Sequence, residues 1–370
     1  MADAPKKPLS TSRITKSFPP RDPEEPGAIS VDHRFFVQAG KEPPRVTSEV
    51  VRKASQNGDA DQYEVIIQVD GVRAGARAFP PPVEGTPVKR SKKGSPVSLD
   101  ESLLGGFVPK HLAFDPLPRD RVKGFRTFYE GPDPEIIRPT TVFAPDDRRT
   151  FRDTTYPWGT VGLVETPRGN SSGVVIGPRH LLTVSHGIDW GGAPRGFAAN
   201  WVRFTPSSFD GNAPFGQTHG VHIYWYVQEN GDGQISSTEI QHDYVVVVLD
   251  SRVGERTGWM GARGYVDGWD GLDVWQHMGY PGDLNSGQRP IFINRVSLDG
   301  DDAGDDAHES IKHHADVFPG QSGGPMFGWW SGDVGPRAVA TQSGQLPSDN
   351  FASGGGDLAR LVSLARTDFA

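Results

Sequence analysis

The chain has 370 residues, 35% of them apolar and 23% charged, with a formal net charge of -8. No stretch approaches the roughly eighteen consecutive apolar residues of a membrane-spanning helix, and the acidic balance argues against a phosphate-neutralising surface. With no cysteine present, disulfides, cysteine nucleophiles and thiolate-bound metals are excluded.

The chain opens on "MADAPKKPLSTSRITKSFPPRDPEEPGAIS", which has early lysines but no apolar segment of the kind a secretory leader needs. Either the protein stays inside, or a leader has already been removed. Residues 1–62 are polar and punctuated by proline. "YEVIIQVDGVRAGARAF" (63–79) places two strand-like runs on either side of Asp70-Gly71, a hairpin signal. "PPPVEGTPVKRSKKGSP" (80–96) is proline-rich and basic, which reads as an exposed linker or a processing site. Residues 97–141 continue rich in proline without a core pattern.

From about Val142 short apolar runs recur every ten or so residues, separated by Gly, Pro, Asn and Asp. "TVGLVE", "GVVIG", "HLLTVS", "VHIYWYV", "YVVVVLD", "DVWQHMGY", "IFINRVSL" and "RAVATQSG" are the clearest of them. This spacing predicts an all-β sandwich or pair of barrels. Only "DLARLVSLAR" (357–366) has helical period, with Leu358, Leu361, Val362 and Ala365 on one face. The division is therefore residues 1–141 as an extension or pro-region, and 142–370 as a catalytic-sized β unit ending in a helix.

Within that unit, "PGQSGGPMF" gives up side chains to shape backbone around Ser322. An alcohol is a poor nucleophile without a base, a carboxylate to hold the base, and N–H donors for the oxyanion. His186 in "HLLTVSHGI" lies just past an apolar strand, where a sheet can aim its imidazole. His180 is a rival, but it precedes the apolar run and is expected to face solvent. Asp243 in "HDYVVVVLD" stands at the mouth of a run apolar enough to be buried on both faces, where a carboxylate needs hydrogen bonds. Alone it reads equally as a strand-end cap; Asp250, at the far end, reads as an exposed turn residue. Gly320 and Ser322 can turn both N–H groups toward one point, because glycine permits the tight backbone this requires.

In the order His, Asp, Ser, "LLTVSHGI", "DYVVVVLD" and "PGQSGGPMF" resemble the trypsin/chymotrypsin-like serine peptidases. "DDRRTFRDTTYPW", "VRFTPSSFDGNAPFG", "TGWMG" and "MGYPGD" are similar to motifs of the glutamyl endopeptidase-like branch. The resemblance covers about residues 142–370. It implies two packed six-stranded antiparallel β-barrels, the first over about 142–260 and the second over about 261–370, with the site between them. It also implies a serine endopeptidase: His186 the general base, Asp243 its orienting carboxylate, Ser322 the nucleophile, and the Gly320 and Ser322 amides the oxyanion hole. A mature start near Val142 and a secreted protein are further implications, as is a full-length form slower than a trimmed one.

Glutamate selectivity is not expected. Where that branch holds a substrate carboxylate with a hydroxyl residue and a histidine, this chain has Val317 and Gln342. Asp316 either points into the pocket, favouring Arg or Lys before the scissile bond, or caps a turn outside it. "QENGDGQISSTE" (228–239) has the outline of a calcium loop, but it starts on Gln228 and is flanked by strand-like runs. The acidic 298–309 stretch reads as a solvated loop. His313 and His314, neighbours on a strand, point to opposite faces and do not suit one metal. No cofactor is expected and no metal site is assigned. The expected partner is a peptide or protein substrate, with neither nucleic acid nor membrane. Residues 1–141 are open to three roles: covering the cleft, aiding folding or binding a partner. The competing reading is a peptidase-like binding module without turnover.

Overall fold

The computed structural model describes residues 6–25, 45–53, 62–70, 80–92, 99, 101–118, 142–143, 146–229, 235, 237–301, 307–345 and 348–370. Two compact units emerge, residues 34–80 and the remainder of the chain. The smaller unit contains an antiparallel hairpin, β1 (Arg45–Lys53) against β2 (Gln62–Asp70), with Val46 facing Val69 and Val50 facing Val65. β2 thus pairs with an upstream strand that the sequence reading did not anticipate. The expected partner beyond Asp70-Gly71 lies outside the described residues.

In the larger unit β3 (Glu84–Pro87) and β4 (Arg149–Thr150) precede six strands that close on themselves. These are β5 (Val161–Thr166), β6 (Gly169–Gly177), β7 (His180–Thr183), β8 (Arg203–Pro206), β9 (Thr218–Trp225) and β10 (Val245–Leu249). Their order is β10-β7-β6-β5-β8-β9, and an antiparallel β9–β10 pairing shuts the ring. After β11 (Gly261–Ala262), a second ring is built from β12 (Asp273–Gly279), β13 (Ile291–Asp299), β14 (Glu309–His313), β15 (Pro325–Gly328), β16 (Arg337–Gln345) and β17 (Asn350–Gly354). It runs β16-β15-β12-β13-β14-β17 and closes through β16–β17. The fold is thus two closed six-stranded antiparallel barrels with a C-terminal helix, Gly356–Asp368. Among the described residues no helix is long and apolar enough to cross a membrane.

The apolar runs explain the layering. In β10, Val245 and Val247 point into the first barrel with Val164, Leu181 and Ile223. Val246 and Val248 face the other way, into a layer shared with Met278 and Phe327 of the second barrel and Leu358 and Leu361 of the C-terminal helix. Both faces are buried, so the strand is apolar throughout instead of alternating. That helix also explains His180, which is fully buried and not solvent-facing: its Nε2 lies 3.0 Å from the Ala365 carbonyl. Asp250 is likewise no free turn residue. Its Oδ1 accepts the Thr218 hydroxyl at 2.7 Å and the His219 N–H at 3.1 Å.

Parts of the N-terminal extension are built into this body. The segment of β3 is no free linker, since it adds parallel to β9 along 222–225. Val83 and Leu104 are fully buried, and Ile14 and Phe114 nearly so. Phe18 and Phe114 pack on Trp329, with ring centroids 4.9 and 6.0 Å away. Leu9 donates its N–H to the Trp329 carbonyl at 2.7 Å. β4 belongs by pairing to the second barrel, where it adds to β13, although it precedes the first barrel in the chain.

Candidate active site

The chain leaving β7 passes through buried Val184 and Ser185 and delivers His186 at the junction of the barrels. Asp243 sits two residues before β10, which pairs with β7, so sheet register brings the two side chains together. Asp243 is 1% exposed. A carboxylate so deep needs partners, and it has three. Oδ1 accepts the His186 backbone N–H at 2.9 Å. Oδ2 lies 2.6 Å from His186 Nδ1 and accepts the Ser343 hydroxyl at 2.5 Å. An ionised carboxylate only accepts, which assigns the proton to Nδ1 and leaves Nε2 as the bare nitrogen. Burial alone would lower the His186 pKa; the charge and hydrogen bond of Asp243 outweigh it and raise it above 6.5.

Ser322 comes from the second barrel, on the loop before β15. Gly320 has φ 105° and Gly323 φ 83°, both in the region that side chains avoid. A Cβ at Gly323 would lie 2.2 Å from the Ser172 carbonyl oxygen, and one at Gly324 would lie 2.1 Å from that of Met278. Glycine is therefore required at both places by close approach of backbone. The first barrel grips the loop through β6: Ser172 N–H donates to the Ser322 carbonyl and Ser172 Oγ to the Gly320 carbonyl, each at 2.7 Å. The Tyr280 N–H in turn donates to Ser172 Oγ at 2.7 Å. Neither the Gly320 nor the Ser322 N–H donates to any other described residue.

A cavity of about 650 Å³ opens here, and both His186 and Ser322 line it. The hydroxyl and the imidazole do not hydrogen-bond to each other, a looseness common in the absence of substrate. Val317, Phe318, Ile240 and Phe351 make much of the wall apolar, and Gln342 contributes a neutral amide. The Gln342 Nε2 donates to the Gly344 carbonyl at 3.2 Å. Arg168 and Glu229, the charged pair in the lining, face each other at 3.5 Å. Behind the wall, burial lowers His277 to about 4 and His313 to about 3, so both rings are neutral near pH 7.

Asp316 is not among the lining residues. Its carboxylate is 2% exposed and accepts the N–H of Phe143 at 2.6 Å and of Asp147 at 2.7 Å. It binds these two backbone N–H groups away from the lining residues, in accord with the second of the two readings. Two of the quoted motifs meet nearby: Arg148 forks onto Asp283 at 3.0 and 2.7 Å. His313 and His314 do diverge, one buried and one exposed. Residues 230–234 and 236, the centre of the calcium-loop outline, lie outside the described residues, as do 302–306 of the acidic loop. Sequence reasoning missed Ser343 and Ser172. Ser343 directly follows Gln342 on β16, but a serine in a strand carries no signal of the carboxylate it will meet.

No family model matches the chain. Among curated proteins it is similar to a glutamyl endopeptidase of Bacillus licheniformis, 25% identical over 197 residues, which are 50% of this chain and 54% of that protein. The chain thus spans about half the length of that relative. Among solved structures, a Glu endopeptidase in complex with MPD aligns at TM-score 0.50 and 18% identity, over 61% of this chain and 100% of the other. The protease Anisep from Arthrobacter nicotinovorans aligns at TM-score 0.44 and 18% identity, over 57% and 97%. By sequence likeness and by its paired barrels, the chain is similar to the chymotrypsin-like serine peptidases of the glutamyl endopeptidase branch.

Proposed function

We propose that this chain is a serine endopeptidase that cleaves peptide bonds through an acyl-enzyme on Ser322. The observation that carries the reading is the 2.6 Å contact of His186 Nδ1 with buried Asp243, which leaves Nε2 basic beside a cavity that Ser322 also lines. In the first step Nε2 takes the hydroxyl proton while Oγ attacks the carbonyl carbon. The carboxylate of Asp243 keeps the tautomer and stabilises the imidazolium. The undonated N–H groups of Gly320 and Ser322 receive the oxyanion. His186 then protonates the leaving amine, and water repeats the sequence to release the acid. The absence of a hydrogen bond between hydroxyl and imidazole among the described residues is the one observation favouring the alternative, a binding module without turnover.

For the residue before the scissile bond we propose a neutral side chain. A substrate carboxylate would find Val317 and the Gln342 amide where it needs charge-assisted pairing. Arg168 is already matched by Glu229. A mature start near Val142 and export from the cell enter only as proposals from the resemblance. The test compares wild type with Ser322→Ala on a protein substrate and a peptide library. Loss of a nucleophilic serine costs on the order of 10⁶ in kcat. Equal turnover by the variant overturns the mechanism, and a clear preference for Glu overturns the pocket reading.

A further inference from the structure

We propose that His242, His308 and Asp357 form a binding site for a zinc-class divalent ion, tying together three segments beside the candidate active site. His242 belongs to the turn leading into β10, His308 precedes β14, and Asp357 lies in the first turn of the C-terminal helix. One ligand atom from each lies within 4.8 Å of the other two. His308 Nε2 is 3.2 Å and His242 Nε2 3.7 Å from the same oxygen, Asp357 Oδ2. Tetrahedral zinc with ligands at about 2.0–2.1 Å spaces them ~3.3 Å apart, between those two values.

A hydrogen-bonded cluster accounts less well for His242. The ring is 1% exposed, and neither Nδ1 nor Nε2 has a hydrogen-bond partner among the described residues. A buried imidazole left in that state is uncommon, and 3.7 Å exceeds the range of an N–H···O bond. Asp357 is fully buried and held ready from behind. The Ser91 hydroxyl donates to its Oδ1 at 2.5 Å, the Ser91 N–H to Oδ2 at 2.9 Å, and Arg360 Nε to Oδ1 at 3.1 Å. Such outer contacts orient ligating carboxylates. Two imidazoles and one carboxylate suit zinc or its neighbours, not calcium or magnesium, which demand mostly oxygen. Three protein ligands leave a fourth position for water.

An ion here would fix His242 and with it the adjoining Asp243, whose N–H already donates to Ser353 at 2.9 Å. The inference holds whether or not Ser322 turns over. It is tested by titrating zinc into the full chain carrying Ser322→Ala, stripped of metal, against a chromophoric chelator. We expect one ion per chain at about micromolar affinity or tighter. His308→Gln and His242→Gln should each weaken it by about 100-fold, and the exposed His314→Gln should not. X-ray absorption on the zinc-loaded protein needs no such variant and should report two imidazole ligands. Failure to bind, binding that survives both ligand variants, or a shell with fewer than two imidazoles would overturn the proposal.

Discussion

Deletion of residues 1–141, leaving a chain that starts at Val142, removes Ile14, Val83, Leu104 and Phe114, each no more than 2% exposed. Burying such a side chain stabilises a fold by about 1.5–3 kcal/mol, so the four together contribute on the order of 6–12 kcal/mol. Ordering the deleted segment costs backbone entropy that the shorter chain no longer bears, and extended-chain burial figures run high, so the lower end is the working number. Even roughly 6 kcal/mol is comparable with the whole net stability of an ordinary domain. The cut also strips the parallel strand from β9 and the carbonyls of Leu103 and Gly105 from the buried Arg366. At about 2–4 °C per kcal/mol for a body of this size, the melting temperature should fall by more than about 12 °C. The assay is a thermal melt of the Val142 form beside the full chain, with size-exclusion chromatography to detect aggregation. A full chain nicked within 119–141, which keeps Ile14, Val83, Leu104 and Phe114 in the protein, should melt within a few degrees of the intact form. Equal melting temperatures for the Val142 form and the full chain would refute the reasoning. With the expected fall, the trimmed, faster enzyme that the resemblance implies is a nicked one retaining its N-terminal segments.

Three further outcomes concern the base and its carboxylate. Ser343→Ala removes one of three donors to Asp243, and losing a hydrogen bond to a buried charge costs about 1.5–3 kcal/mol, so kcat/KM should fall roughly 10- to 100-fold with KM nearly unchanged. A drop carried by KM alone would argue that Ser343 binds substrate instead. The raised pKa of His186 means that kcat/KM should climb with pH through an apparent value above 6.5, because only the neutral ring accepts a proton. The contribution of that ring to stability has the opposite sense: present in full below its unfolded value and lost as pH rises through the folded one. Asp243→Asn should lower kcat on the order of 10⁴-fold and move the acid limb below 6.5, since burial would then dominate. An unmoved limb would mean that another group sets it.

The chemistry was legible in the sequence where backbone need and residue type coincide. The glycines around Ser322 announce close approach, and the Ser172 and Met278 carbonyls supply it. The run of valines in β10 announces a strand covered on both faces, which also placed Asp243 at its mouth. The less legible strands, β14 and β17, read "ESIKH" and "NFASG". They are short, and their buried positions include polar Glu309, His313, Asn350 and Ser353, so they lack apolar periodic contrast. The burial of parts of the extension was illegible for a different reason. Val83, Leu104 and Phe114 are isolated apolar residues among prolines, and each is buried by a partner far along the chain, beyond any local window. His180 was misjudged by position, because the C-terminal helix covers it. Ser343 and Ser172 act through hydrogen bonds that exist only after the barrels meet.

The most direct measurement is mass spectrometry of the protein after exposure to an organophosphonate or sulfonyl fluoride. The account predicts one adduct per chain, on Ser322, absent from His186→Ala under the same exposure. Ser322 left unmodified in the intact chain and in one nicked ahead of Val142 would contradict it.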